Sequence, residues 1–328
     1  MEKKRDKKFD VIALGELLVD FTMNGKTGQG NGLFEACPGG APCNVLAMLN
    51  RYGKKTSFTG KVGKDIFGKM LRETLSEAGI DTSHLYTDEK VNTTLAFVKT
   101  LDDGDREFSF YRNPGADMML EPEDIDGEYI KEGKIFHFGT LSMTDGKVRK
   151  ATKKALAIAK ENHLLISFDP NLRLLLWDSP EEAKAQMAYG LKYCDILKIA
   201  DNEIRFFTGE EDYDEAVRIL LEEYPVPLVF LTLGKDGSRA YYRGRKTEVP
   251  GFRVDTIETT GAGDAFMGTV LACILDHGIE NLSADDLEEI LMEANGAAAI
   301  VTTRKGALKA MPSPEETEKL RKKFIIDM

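Results

Sequence analysis

The chain has 328 residues, of which 42% are hydrophobic and 30% charged, and this predicts a globular protein with a sizeable core. Its formal net charge of −11 argues against a nucleic-acid surface, because such a surface needs clustered Lys and Arg. The four cysteines form no Cys-x-x-Cys pair, which is typical of reduced thiols. No segment reaches the ~20 apolar residues that span a bilayer. The sequence therefore predicts a cytoplasmic protein that binds neither nucleic acid nor membranes.

Short apolar runs alternate along the chain with longer segments of helical period. The predicted strands are residues 11–14, 135–138, 164–168, 196–199 and 228–231. The predicted helices are residues 66–78, 147–162, 180–193, 213–224, 262–277 and 285–302. Because the strands are apolar on both faces, we expect a mainly parallel sheet with helices on each side. This alternation is typical of a doubly wound α/β fold.

Residues 93–111 depart from this alternation of strands and helices, since apolar and polar side chains alternate around a turn at 102–105. This pattern predicts a long antiparallel hairpin. With the Gly-rich segment 24–32 it predicts a small sheet, built from about residues 16–36 and 92–113, within a single domain that spans 1–328. Such a sheet is expected to act as a lid over a ligand or, about equally, as a ribbon through which two copies form a homodimer.

Residues 258–264, Glu-Thr-Thr-Gly-Ala-Gly-Asp, precede a predicted helix of small and apolar residues. Small residues at a helix N-terminus expose backbone N–H groups to an anion. The acid at the end of the motif can take a proton from a hydroxyl that attacks a phosphoryl group. Taken alone, the motif is explained equally well as a tight turn with an acid that favours the helix dipole.

A second Gly-rich motif occupies residues 38–44 and is followed by a segment of helical period. Its adjacent glycines let a ligand approach the backbone, and Asn44 can donate to one hydroxyl of a polyol and accept from another. Alone, Asn44 is explained better as a helix N-cap. The chain has no Walker loop at 20–27 and no Gly-x-Gly-x-x-Gly after the first strand, so the motif at 258–264 is the best phosphate site.

The two motifs together resemble the two signatures of the ribokinase-like carbohydrate kinases, the PfkB family, and the likeness covers about residues 10–312. Stretches at 15–20, 110–117, 136–139 and 168–173 resemble fructokinases within that family. The resemblance implies a ribokinase-like fold with a β lid and an ATP-dependent sugar kinase, most similar to a fructokinase that makes fructose 6-phosphate. The alternatives are a 2-keto-3-deoxygluconate kinase, a ribokinase, and a sugar-binding protein of the same fold without catalytic activity.

The resemblance also implies a role for each matching residue. The implied catalytic set is the base Asp264 and an anion hole made by Gly261, Ala262 and Gly263. The implied sugar-binding set, which extends to the phosphate end of the cleft, is Asp20, Gly39, Gly40, Asn44, Arg112 and Arg173. The implied nucleotide-binding set is Glu203, Thr232, Gly234, Gly237 and Asn295. Glu203 would also organise Mg²⁺, and Glu258 with residues 302–307 matches a monovalent-cation site.

Two positions depart from the family pattern. Glu258 stands where the family usually has Asp, and the extra methylene shifts any contact to a cation, so K⁺ dependence stays open. Ala200 stands where Asn opens the family's Asn-x-x-Glu motif, which removes one polar contact near the phosphates or the metal. The expected co-substrate is ATP with Mg²⁺.

Overall fold

The computed structural model describes residues 7–100 and 106–327. Its strands are β1 (Phe9–Leu14), β2 (Leu18–Lys26), β3 (Gly32–Gly39), β4 (Thr56–Gly63), β5 (Asp81–Asp88), β6 (Leu95–Thr100), β7 (Arg106–Tyr111), β8 (Gly133–Phe138), β9 (Leu165–Phe168), β10 (Ile196–Ala200), β11 (Leu228–Thr232), β12 (Ser238–Tyr242) and β13 (Arg245–Val249). Its α-helices are α1 (Ala41–Arg51), α2 (Ile66–Glu77), α3 (Gly127–Ile130), α4 (Gly146–Glu161), α5 (Pro180–Leu191), α6 (Asp201–Thr208), α7 (Tyr213–Glu223), α8 (Ala262–His277), α9 (Ala284–Thr302) and α10 (Pro314–Asp327).

The main sheet has nine strands in the order β13-β12-β11-β10-β9-β8-β1-β4-β5. Every neighbouring pair from β11 to β5 is parallel, and β12 and β13 are added antiparallel at one edge. The predicted mainly parallel, doubly wound fold is confirmed. The strand order reverses beside β1, and ligands of open α/β sheets bind at such a reversal, beyond the carboxyl ends of the strands.

Each face of the main sheet is covered by helices, because the side chains of a strand alternate between the two faces. In β1, Val11 and Ala13 join a core with α1, α2, α8 and α9. Ile12 and Leu14 join the opposite core with α3 to α7. All four β1 side chains are fully buried, and burial of a large aliphatic side chain contributes roughly 1.5–3 kcal/mol. This rigid double layer fixes the positions of the loops at the carboxyl ends of the strands.

The small sheet has the order β3-β2-β6-β7, with β2 and β6 parallel and the other two pairs antiparallel. The predicted separate sheet is confirmed, although β3 continues to Gly39, past the predicted boundary at 36. Phe97 stacks on Phe21 with ring centroids 5.0 Å apart and meets Phe34 edge-on, so aromatic packing stiffens the sheet. The predicted turn at 102–105 lies outside the described residues, and the lid and dimer roles of the sheet stay predictions.

Helix boundaries agree with the predictions to within a few residues, and α8 matches at both ends. Strands β4, β5, β12 and β13 of the main sheet were not predicted. The four cysteines are free thiols, as expected. Across residues 7–100 and 106–327, no helix has the length and apolar character needed to cross a bilayer.

Candidate active site

A cavity of about 470 Å³ opens at the carboxyl ends of the main-sheet strands. Residues that follow β1, β8, β9, β10 and β11 line one side, and strands β2, β3, β6 and β7 of the small sheet line the other. The N-termini of α1 and α8 also reach the cavity. The cavity therefore lies where the reversal of strand order beside β1 predicts a ligand, and the small sheet is placed to cover it.

Helix α8 begins at the cavity because residue 261 can take a backbone conformation that only glycine adopts without strain. Gly261 is the N-cap with φ 83°, and a Cβ there would lie 2.7 Å from the Ala307 Cβ. Gly261 and Gly263 line the cavity. Ala262 does not, and its amide donates to the Thr259 carbonyl at 3.3 Å. Two of the three residues predicted for the anion hole thus lie at the cavity wall.

Asp264 lies in the first turn of α8 and lines the cavity although its side chain is buried. Its Oδ2 accepts a hydrogen bond of 2.8 Å from the Asn44 side-chain amide. Burial raises the pKa of Asp264 above its ordinary value, while the Asn44 hydrogen bond and the charges of Lys198 and Arg173 act in the opposite direction. A carboxylate with an increased proton affinity at a helix N-terminus is suited to act as a general base.

Asn44 belongs to α1, whose N-cap is Gly40 rather than Asn44. Gly40 has φ 125°, and a Cβ there would lie 2.4 Å from the Glu16 carbonyl oxygen, so only glycine fits this close approach. The Asn44 amide group donates to Asp264, whereas its Oδ1 is buried without a hydrogen-bond partner among the described residues. A buried acceptor of this kind costs about 1–3 kcal/mol unless a donor binds it, so Oδ1 is available to a ligand hydroxyl.

Asp20 lies on β2, opposite Cys37 on β3, and lines the cavity. Gly39 does not line it but lies directly behind Asp20, because a Cβ at position 39 would come within 2.4 Å of Asp20 Oδ2. The predicted sugar-binding glycine therefore leaves room for the Asp20 carboxylate. Asp20, Gly40 and Asn44 all line the cavity, and their binding of sugar hydroxyls stays a prediction.

The two predicted arginines lie in different environments. Arg173 lines the cavity and is exposed, and it donates to the Leu172 carbonyl at 3.1 Å. Arg112 is buried outside the cavity lining, with its Nη2 2.7 Å from Asp117 Oδ2. Its remaining donors bind Thr144 and the Leu141 carbonyl. Arg112 therefore binds protein groups outside the cavity lining, and its role at the sugar and phosphate end of the cleft stays a prediction.

Replacement of Arg112 by Met is expected to destabilise the fold by about 3–5 kcal/mol, because it leaves the buried Asp117 carboxylate without its partner. The side chains of this pair are only 3% and 2% exposed. Urea unfolding measures the loss, and the turnover of the folded fraction should stay close to wild type. Arg218→Met removes arginine ion pairs that are exposed and should leave the unfolding midpoint unchanged. A stable Arg112→Met protein with weakened substrate binding would instead support the predicted role.

Glu203 caps α6 and links the segment after β9 to the end of β10 through hydrogen bonds. Its Oε1 accepts from the Leu172 amide at 2.7 Å and its Oε2 from the Ala200 amide at 2.8 Å. Ala200 is the N-cap and has no side chain able to cap the helix, so Glu203 carries the local hydrogen bonding. The buried Glu203 carboxylate lines the cavity and is held rigidly near the expected phosphates.

The other predicted nucleotide residues divide into two groups. Thr232 and Gly234 line the cavity at the end of β11. Gly237 and Asn295 do not. Asn295 is buried, with its Oδ1 accepting from the Ser238 hydroxyl at 2.8 Å and its Nδ2 donating to the Val249 carbonyl at 3.2 Å. Asn295 therefore joins α9 to β12 and β13 outside the cavity lining, and its place near the adenine stays a prediction.

Glu258 joins the two loops that were predicted to bind a monovalent cation. Its Oε1 accepts from the Thr260 hydroxyl at 2.7 Å, and its Oε2 accepts from the Gly306 amide at 3.2 Å. Its own amide donates to the Thr302 carbonyl at 3.0 Å. The carboxylate thus connects the start of α8 with the segment that follows α9 through direct hydrogen bonds.

Within residues 7–100 and 106–327, no cluster of three or more His, Cys, Asp and Glu side chains could hold a metal ion by itself. Mg²⁺ usually keeps several waters and takes one or two carboxylates together with substrate phosphates. Glu203 fits that pattern because it is a fixed carboxylate at the cavity wall. The family resemblance implies that it holds the ion indirectly, and each of its oxygens, which accepts one backbone hydrogen bond, keeps a lone pair for a water on the metal.

Residues 8–314 match the family model described as pfkB family carbohydrate kinase. The chain belongs to this family. A relative of this pfkB family member, probable fructokinase-4 of Arabidopsis thaliana, is 39% identical over 324 residues, which are 98% of this chain and 99% of that protein.

Solved structures of fructokinases share the fold of this pfkB family member. The fructokinase with bound ATP from Xylella fastidiosa has a TM-score of 0.87 and 30% identity, and the match covers 96% of this chain and 99% of that one. A double mutant of fructokinase from Vibrio cholerae O395, bound to fructose, ADP and potassium ion, has a TM-score of 0.86 and 31% identity with the same coverage.

Glu16 and Lys198 of this pfkB family kinase also line the cavity and were not predicted as site residues. Glu16 is buried and accepts from the Ala41 amide at 2.8 Å, and burial raises its pKa to about 7. Lys198 lies within β10 and lines the cavity, with its Nζ 3.1 Å from the buried Asp169 carboxylate. The sequence did contain a signal for Lys198, namely a lysine inside an otherwise apolar strand that is covered on both faces. A buried ammonium group needs a partner, so such a lysine stands out.

Proposed function

We propose that this protein is a fructokinase, which transfers the γ-phosphoryl group of ATP to the 6-hydroxyl of D-fructose and yields fructose 6-phosphate and ADP. The arrangement of Asp264 and Asn44 is the observation that carries this proposal. A buried carboxylate at a helix N-terminus accepts the amide hydrogen bond of Asn44, and the unpartnered Asn44 Oδ1 is available to a hydroxyl of the acceptor. The relatives named fructokinase support fructose as that acceptor.

In the proposed reaction the hydroxyl oxygen of the sugar forms a bond to the γ-phosphorus, and Asp264 accepts the proton of that hydroxyl. The bond from that phosphorus to the oxygen bridging to ADP breaks, and ADP leaves with the electron pair. Asp20, Gly40 and Asn44 would orient the sugar, because several hydrogen-bonding groups must converge on a polyol. The backbone at Gly261 and Gly263 would stabilise charge on the transferred group.

Nucleotide phosphates would occupy the side of the cavity formed by Glu203, Thr232 and Gly234. Mg²⁺ bound with ATP would neutralise part of their negative charge, and Glu203 would hold the ion through water. The small sheet would close over the sugar and exclude water, which otherwise competes as the phosphoryl acceptor.

We further propose that two copies associate through this sheet.

The sugar panel is the decisive experiment. The protein is incubated with ATP and Mg²⁺ and with D-fructose, D-ribose or 2-keto-3-deoxygluconate in turn, and release of ADP is measured. Fructose is expected to give the highest kcat/KM. Coupling through phosphoglucose isomerase and glucose 6-phosphate dehydrogenase should then produce NADPH, because only the 6-phosphate enters that assay. Activity restricted to the keto-acid or to ribose would refute fructose, and the absence of ADP release with every sugar would favour the non-catalytic alternative.

The panel run with and without K⁺ tests the cation requirement. Glu258 already connects the two loops through the Thr260 hydroxyl and the Gly306 amide. We therefore expect phosphorylation to continue in K⁺-free buffer, because this carboxylate supplies a link that a cation would otherwise make. Loss of activity without K⁺, restored when K⁺ is added, would contradict this expectation.

A further inference from the structure

We propose that Lys198 is a further catalytic residue, whose ammonium group contacts the phosphoryl group during its transfer. This inference rests on the proposed function. Lys198 lies on β10, lines the cavity and is 5% exposed. Its Nζ lies 3.1 Å from both carboxylate oxygens of Asp169, and the two side chains are 7% and 4% exposed.

The position of the Lys198 ammonium group is the first argument. A Cβ added at Gly263 would lie 3.0 Å from Nζ, so the ammonium lies against the first turn of α8. The N-terminus of a helix carries a partial positive charge, and the carboxylates of Asp169, Glu203 and Asp264 offset the repulsion between it and the ammonium. An anion that enters the cavity beside Asp264 would be attracted by both the ammonium and the helix N-terminus.

The charge of the cavity is the second argument. Carboxylates line it on several sides, among them Asp20, Glu203 and Asp264, whereas its basic lining side chains among the described residues are Lys198 and Arg173. Arg173 is exposed, so Lys198 is the buried one. In a chain of net charge −11, a triphosphate needs local positive charge, and a buried cation interacts more strongly than one in water.

The cost of the buried pair is the third argument. A buried ion pair is often no more stable than an apolar pair of the same size, so stability alone does not explain a lysine within this strand. The neighbours Leu197 and Ile199 are fully buried and apolar. Burial alone would lower the pKa of Lys198, but the carboxylates of Asp169 and Glu203 outweigh burial and raise it. Asp169 thus favours the ammonium form of Lys198 and holds it in place, with Nζ 3.1 Å from both of its carboxylate oxygens.

Lys198→Met tests the proposal in the full-length protein with the best sugar of the panel. We expect kcat to fall by about 10²- to 10³-fold, as for the loss of one donor that stabilises transition-state charge. The affinity for ADP with aluminium fluoride, an analogue of the phosphoryl group in transfer, should fall in parallel. Binding of the sugar alone and of ADP alone should stay close to wild type.

Two variants separate this role from a structural one. Lys61→Met removes another largely buried lysine, which pairs with Asp124 at 2.6 Å away from the cavity, and should keep the wild-type kcat. The double variant Lys198→Met/Asp169→Asn removes both charges of the buried pair, so it should recover any stability that the single change loses. Its kcat is expected to stay low.

Wild-type kcat in the folded double variant would overturn the proposal, because the ammonium would then be dispensable. An increase in the KM for ATP with unchanged kcat would also overturn it, because Lys198 would then bind the ground-state nucleotide only. Neither result bears on the proposed function, which the wild-type protein tests alone in the sugar panel.

Discussion

Asp264→Asn is expected to lower kcat at least about a hundredfold while sugar binding remains largely intact, because positioned general-base catalysis contributes about 10² to 10⁴ in rate. The amide oxygen of the new side chain can still accept from Asn44, whose Nδ2 lies 2.8 Å from Asp264 Oδ2 in the wild-type protein. The geometry is therefore kept while the base is lost. Steady-state kinetics with fructose, together with calorimetric titration of the sugar, separate the two effects.

Asp276→Asn is the matched control for this prediction. Asp276 lies near the C-terminal end of the same helix α8, its side chain is 63% exposed, and it pairs with Lys54 away from the cavity. The same chemical change there should leave kcat and KM at their wild-type values. Near-normal turnover of the Asp264→Asn protein would refute Asp264 as the general base, whatever the control shows.

Much of the fold was predictable because burial leaves a periodic trace in the sequence. The predicted strands between the two helical layers are apolar on both faces, and α8 was predicted at both ends from its run of small and apolar residues. Strand β4 is nearly as buried, but its sequence Thr-Ser-Phe-Thr-Gly-Lys-Val-Gly mixes polar and apolar residues, so it was missed. Strand β5 left no such trace, since its sequence Asp-Thr-Ser-His-Leu-Tyr-Thr-Asp is mostly polar and its residues are mostly half-buried or exposed. Edge strands need not bury both faces, so hydrophobic patterning misses them.

Some of the predicted site residues lie at the cavity because of their backbone conformation at the ends of elements. Gly40 and Gly261 adopt positive φ at the starts of α1 and α8 and line the cavity. Arg112 and Asn295 match site positions of the family, but in this structure their polar atoms bind protein groups outside the cavity lining. Residue type and spacing do not determine on which side of an element a side chain lies.

Asn44→Leu is the second change with a large expected effect. Leucine is close in size to asparagine but removes the donor to Asp264 and the free acceptor Oδ1. A hydrogen bond to a charged group is worth about 1.5–3 kcal/mol, so kcat/KM for the sugar should fall roughly 10- to 150-fold. Measured initial rates over a range of sugar concentrations give this value directly.

The same variant should change the pH dependence in a defined direction. Asp264 must be ionised to accept a proton, so the rate rises with pH through its pKa, which burial raises above the ordinary value. The Asn44 hydrogen bond lowers that pKa, and its removal in Asn44→Leu therefore raises it. The acid limb of the pH–rate profile should move to higher pH in the variant.

Asn50→Leu is the control for both effects, because it removes a side-chain amide from the same helix without touching the cavity. Asn50 donates to the Ala78 carbonyl at 2.7 Å and accepts from Thr56, so its loss should cost stability but leave kcat/KM and the acid limb unchanged. If Asn44→Leu and Asn50→Leu gave the same profile as the wild-type protein, Asn44 would neither tune Asp264 nor bind the sugar. If both variants lost activity equally, the effect would come from helix α1 and its packing, and the direct role of Asn44 would be refuted.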